Sequence, residues 1–81
     1  MEKSAFNKAI GKHIRDTRLK LKLTQAELAD KLGLDYQYIS RLERGQISPT
    51  LFWLYDLCIA LEISIEDFIH ELNVVLNAPH Q

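Results

Sequence analysis

Thr24-Gln25-Ala26-Glu27-Leu28-Ala29-Asp30-Lys31-Leu32-Gly33-Leu34-Asp35-Tyr36-Gln37-Tyr38-Ile39-Ser40-Arg41-Leu42-Glu43-Arg44-Gly45 reads as two short helices joined by a tight turn. Each half opens on a polar cap, Thr24 with Glu27 three residues on and Asp35 ahead of Tyr36, and each closes on a glycine. Gly33 and Gly45 therefore mark the two stops. The first helix, 25–32, buries Leu28, Ala29 and Leu32, and the small Ala29 lets a following helix cross closely. After a three-residue turn the next helix begins at Tyr36. At about 100° per residue, Ile39 and Leu42 set its buried direction, and Gln37, Ser40, Arg41 and Arg44 project from the opposite side.

Two short helices in this arrangement form a helix-turn-helix, whose second helix is suited to the major groove of DNA. An outward polar face alone does not prove contact, because a solvated surface helix has the same pattern. The wider sequence supplies the orientation. The start Thr24-Gln25-x-x-Leu28-Ala29, the end Ile39-Ser40-x-Leu42-Glu43-x-Gly45, and the later Pro49-Thr50-Leu51 and Ala60-Leu61 segments together resemble the DNA-binding domain of the phage repressor and Cro family, also called the Xre-type helix-turn-helix. The likeness runs from Ile14–Arg18 upstream to Pro49–Phe68 downstream and leaves both ends of the chain outside.

The resemblance implies roles for individual residues. The N-terminal part of the second helix would lie against base edges, making Tyr36, Gln37 and Arg41 the base readers. Gln can bond two groups on adenine and Arg two acceptors on guanine, each worth about 1–3 kcal/mol of discrimination. Tyr36 would either meet a thymine methyl or bond a phosphate. Gln25 sits where the family both binds a phosphate and braces the recognition helix. Tyr38, Ser40, Arg44, Ser48 and Thr50 would contact the DNA backbone and fix register without reading sequence. For Ser48 and Thr50 an equal reading is that they cap the fourth helix. The resemblance also pairs Glu43 with Arg18 in a partly buried ion pair that holds the first helix against the recognition helix.

A net charge of −1 is unusual for a nucleic-acid binder until the chain is divided after Gln46. All ten Lys and Arg residues lie before that point against six acids, giving +4, while the remainder carries five acids and no base, giving −5. What a phosphate surface needs is local positive potential, and the basic half is the half that contains the helix-turn-helix. Eighty-one residues suffice for one core, so a single domain over 1–81 is expected. No signal peptide is evident at the N-terminus, and the most apolar stretch, 51–61, is too short to span a bilayer and contains Asp56. A cytoplasmic protein with no membrane association is the expectation. The single Cys58 stands in an apolar helical stretch and reads as a core thiol.

Three further helices complete an all-α, five-helix, lambda-repressor-like architecture. Phe6, Ile10, Ile14 and Leu21 recur at helical spacing, predicting a first helix over about 5–21 with Ser4 as its cap. Pro49 and Thr50 start a fourth helix whose core stripe is Leu51, Leu54, Leu57, Cys58 and Leu61, Pro being suited to a first turn. Ser64, with Asp67 three residues later, caps a fifth helix running to about Leu76. Lys22 and Glu62 fall where the family usually ends helices with Gly. Either those helices end differently, or each carries a left-handed residue at a cost of about 1 kcal/mol.

The fourth helix has more apolar surface than one core stripe requires. Phe52, Trp53, Tyr55 and Ile59 are expected to form a second face, buried against another copy of the chain, as in the homodimers of the family. Phe68, Ile69, Leu72, Val75 and Leu76 would enlarge that contact or simply complete the core. No nucleophile with a base, Gly-rich phosphate loop or CxxC is present, so no catalytic residue is assigned. Glu66 and His70 stand at i, i+4 with Glu71 adjacent, but do not amount to a metal site. No metal or cofactor is expected. The reading is a DNA-binding regulator, acting as a homodimeric repressor or autoregulatory controller of phage, plasmid or restriction-modification type on an inverted-repeat operator. The alternative from another class is an antitoxin that binds a toxin partner and regulates its own operon.

Overall fold

The computed structural model describes residues 1–78. Five helices follow in chain order: α1 (Lys3–Lys20), α2 (Gln25–Leu32), α3 (Tyr36–Glu43), α4 (Leu51–Ala60) and α5 (Ile65–Leu76). Each contributes to one core. Ile10 and Ile14 come from α1, Leu28 and Ala29 from α2 and Ile39 from α3, closed over by Leu54, Leu57, Cys58 and Leu61 and by Phe68 and Leu72 of α5. Burying side chains of this size stabilises the fold by about 1.5–3 kcal/mol each. Burial also pushes the Cys58 thiol up to about 11, which leaves it protonated and unreactive near neutral pH. None of the described helices is long and apolar enough to cross a membrane.

Local sequence explains most of the boundaries. In α2, Thr24 accepts a hydrogen bond from the Glu27 amide at 3.0 Å, while the Glu27 carboxylate accepts from the Thr24 amide at 2.9 Å, a reciprocal cap that satisfies two free donors. Thr50 and Ser64 cap α4 and α5 through the amides of Trp53 and Asp67. Gly33 and Gly45 take φ of 66° and 74°, and the turns behind them close on Ala29 and Arg41 carbonyls. Three expectations need correction. Ser4 lies inside α1, which starts at Lys3 behind Glu2, so it is not the cap. Pro49 precedes the Thr50 cap and stays outside the first turn of α4. Leu51 is 67% exposed rather than part of the core stripe, because at the first position of α4 it sits at the mouth of the open depression between α4 and α5, beside Ile69, and is only partly covered.

Lys22 and Glu62 both carry the left-handed conformation, at φ 58° and 59°. Each ends its helix as a glycine would: the amide behind Lys22 reaches the Arg18 carbonyl at 3.2 Å, and the amide behind Glu62 reaches Cys58 at 3.0 Å. The strain is therefore carried. Lys22→Gly and Glu62→Gly should each stabilise the protein by about 1 kcal/mol, since the cost of a Cβ there exceeds the added freedom of Gly in the unfolded chain. The two turns share no hydrogen-bond partner, so the gains should add. Thermal melts should rise by about 4–8 °C for each change, and no rise would show that the Cβ is tolerated without cost.

α1 lies directly on the end of α3. A Cβ on Gly11 would meet the Leu42 and Glu43 carbonyl oxygens, and one on Gly45 would come within 2.9 Å of the Lys8 backbone. Backbone therefore touches backbone where α3 ends. On its other side α1 packs on α5, where the His13 ring tilts against Phe68 with centroids 4.3 Å apart. His13 Nε2 lies 3.3 Å from the Glu71 carboxylate without the alignment of a hydrogen bond, and burial holds its pKa below the usual value despite that charge.

Candidate nucleic-acid interface

The centre of the site is a buried ionic brace beneath α3. Arg18 Nε donates to Glu43 Oε2 at 2.7 Å and its Nη2 donates to Oε1 at 2.9 Å, a fork that uses both carboxylate oxygens. Its Nη1 donates to the Leu23 carbonyl at 2.7 Å, and Gln25 Nε2 adds a bond to Glu43 Oε1 at 3.0 Å. Both charged side chains are buried. Hydrogen bonding to Glu43 raises the Arg18 pKa above its ordinary value, against the opposing effect of desolvation. One carboxylate at the end of α3 is thereby tied to the end of α1, to the turn before α2 and to the first residue of α2. The orientation of α3 relative to α2 is set by this network as well as by Ile39 and Leu42 in the core.

Above the brace, α3 turns its polar face outward. Asp35 caps it through the Gln37 amide at 2.9 Å, and Tyr36, Gln37, Arg41 and Arg44 are all exposed, with Ser40 partly so. Arg44 Nε donates to the Ser40 carbonyl at 3.3 Å, which lays its side chain back along the helix. Gln25 is at the first position of α2, its side chain held by Glu43, at a helix N-terminus whose partial positive charge favours an anion. The expected base readers are exposed on α3, and the expected α2 anchor is tied to the same helix through Glu43.

The flanking residues are differently placed. Tyr38 is partly buried, its ring 5.3 Å edge-on from Trp53. Trp53 consequently packs inward, away from the exposed apolar face with which the sequence grouped it, because the Tyr38 ring and the core offer it cover. Thr50 caps α4, and its hydroxyl accepts from the Trp53 amide at 3.1 Å. Ser48 does not cap; its hydroxyl donates to Asn7 Oδ1 at 2.6 Å. Phe52, Tyr55 and Ile59 remain on the surface, with Phe52 77% and Ile59 74% exposed, beside Leu51 and Ile69. Among the described residues no group of three or more His, Cys, Asp or Glu side chains converges as a metal site. Two residues that matter to the geometry, Gly11 and Asn7, carried no assignment from sequence. The sequence signal for Gly11 is an isolated glycine inside a helical pattern, which usually has a packing reason.

Two short capped helices, crossing over a small alanine and locked by a buried Arg–Glu–Gln network under an exposed polar face, define a DNA-binding helix-turn-helix domain. The chain belongs to the Xre/Cro-like helix-turn-helix family of transcriptional regulators, matching the helix-turn-helix family over residues 14–68. Members of this family are DNA-binding regulators and not enzymes. The chain is 40% identical over 59 residues to an uncharacterized HTH-type transcriptional regulator of Sinorhizobium fredii, covering 73% of this chain and 77% of that one. It spans 59% and 46% of the length of two other curated relatives. The fold is similar to that of the clp gene regulator ClgR of Corynebacterium glutamicum, at a TM-score of 0.82 with 30% identity, over 88% of this chain and 76% of that one. It is similar also to the restriction-modification controller protein C.Esp1396I, solved as a tetramer with its natural 35 base-pair operator, at a TM-score of 0.78 with 32% identity, over 84% and 90% of the two chains.

Proposed function

We propose that this protein is a homodimeric transcriptional regulator that reads an inverted-repeat operator, placing α3 of each copy in successive major grooves. The observation that carries the reading is the rigid seat of α3. A helix whose outward side chains are solvated, while its last carboxylate is held by three donors, presents Tyr36, Gln37 and Arg41 from a backbone already ordered, so that binding orders only the side chains themselves. The basic charge of residues 1–46 supplies the electrostatic part of the affinity. The exposed Phe52, Tyr55 and Ile59 give the dimer its surface, and a second copy is the occupant that would also place two recognition helices on one duplex. A controller that represses or autoregulates needs no more than this. The likeness to a controller solved on its operator favours that role over the antitoxin reading.

The test is selection of duplexes from a random pool, followed by binding of Arg41→Ala to the selected site. Arg41→Ala should weaken the operator by about 1–3 kcal/mol and relax preference at one base position in each half-site. Gln25→Ala should weaken all duplexes more evenly. An unchanged position-by-position preference in Arg41→Ala would remove Arg41 from the base readers.

A further inference from the structure

Between the first turn of α1 and the loop joining α3 to α4 lies a polar cleft, with Lys3, Ser4 and Asn7 on one wall and residues 45–48 on the other. No acidic side chain lines it. Glu2, the nearest acid in sequence, lies instead on the depression between α1 and the end of α5. The cleft opens immediately beyond Arg44, at the end of the recognition helix. It is rigid, because Gly45 lies against the Lys8 backbone and Ser48 is tied to Asn7.

Its charge is positive and its buried amide is free to donate. Asn7 is 94% buried, at 6% exposure, and its Oδ1 accepts from Ser48 at 2.6 Å. The Asn7 Nδ2 makes no hydrogen bond among the described residues, yet it is not one of the donors sealed from solvent. A buried amide held by its oxygen alone presents its two N–H groups to whatever enters the cleft. The first turn of α1 adds to this: Glu2 supplies no side-chain cap, so the amides of Lys3 and Ser4 have no partner among the described residues, whereas Thr24, Asp35, Thr50 and Ser64 cap the other four helices. Lys3 adds a cation at the rim. The Ser48 hydroxyl, expected from the sequence to contact a phosphate, gives its proton to Asn7 in this arrangement.

We infer that this cleft holds a backbone phosphate of the operator, on the flank of the groove that α3 enters, with Asn7 and Lys3 as its ligands and Ser48 as the residue that orients Asn7. The inference rests on the proposed reading of α3 as a DNA-binding helix. A phosphodiester matches the site because it only accepts hydrogen bonds and carries its charge at every working pH. The contact is sequence-independent and extends the interface from α3 onto α1.

The experiment measures binding of the full chain to the selected operator and to a scrambled duplex across a salt series, for wild type, Lys3→Ala and Asn7→Asp. Lys3 is exposed, so its removal leaves the fold intact, and Asn7→Asp keeps the acceptor for Ser48 while setting a negative charge against the phosphate. Urea melts check that both variants are folded. Lys3→Ala should lower the slope of log affinity against log salt by roughly one and weaken both duplexes by equal factors. Asn7→Asp should weaken both by roughly tenfold or more, leaving base preferences unchanged. Folded variants that match wild type in slope and affinity, while wild type binds the operator, overturn the cleft and leave the recognition helix standing. A wild type that binds no duplex overturns the DNA reading itself. Inorganic phosphate is the second arm: if it shifts the Ser4, Asn7 and Ser48 amide resonances to saturation while the variants bind DNA normally, the cleft is a free-anion site and the inference fails.

Discussion

Glu43→Ala is expected to destabilise the fold by about 3–5 kcal/mol, the largest loss of stability from any single truncation in the interface. The cause is the environment of Arg18. Its guanidinium is buried and loses both carboxylate bonds, keeping only the Leu23 carbonyl, while Gln25 loses its acceptor as well. A buried unpaired cation costs more than the pair gains, so removing the second partner should restore part of the loss. Urea unfolding of Glu43→Ala, Arg18→Ala and the double variant tests this, and the double should fall well short of the sum of the singles. Strict additivity would mean that the two side chains contribute independently. The operator affinity of Glu43→Ala should fall even at temperatures where it remains folded, because α3 loses the tie that orients it.

Phe52→Glu should abolish the proposed dimer and cost the paired operator about 10²–10⁴-fold in affinity, while an isolated half-site is bound almost as before. Phe52 is the most exposed of the large side chains on α4, and across a two-fold axis each substituted carboxylate would face an apolar surface of the other copy. The half of the chain that carries this face has five acids and no Lys or Arg, so neither is at hand from that half to pair with the new charges. Two recognition helices brought together by the dimer should read half-sites centred about ten base pairs, roughly 34 Å, apart. Sedimentation of Phe52→Glu, with titration of whole and half operators, checks both parts. A variant that stays dimeric and binds the whole site normally would move the interface off α4, and a selected site without two-fold symmetry would remove the dimer.

The five helices and their ends were largely legible in the sequence, because they depend on neighbours close in the chain. Thr24 with Glu27, Asp35, Thr50 and Ser64 act on amides two or three residues away, and Gly33 and Gly45 take the left-handed turn at their own positions. The solvated edge of α3 followed in the same way from the spacing of Ile39 and Leu42. The Arg18–Glu43 geometry is different in kind: 25 residues separate the partners, and in the sequence only the resemblance to a known family places them together.

Periodicity assigns a side chain to a face but does not say what lies opposite that face. Leu51 and Trp53 show the consequence, since both are apolar residues in the first turn of α4, yet Leu51 meets solvent and Trp53 meets Tyr38. The same limit hid Gly11, whose role comes from the Leu42 and Glu43 carbonyls crossing above it, and Asn7, whose partner Ser48 is 41 residues away. Local pattern was enough for the five helices, the caps of α2 to α5 and the polar edge of α3, while the start of α1 was misplaced at Ser4. The tertiary structure alone decided which backbones touch, which apolar side chains find cover and where the unpartnered donors converge, because those depend on the crossing of helices and not on any local pattern.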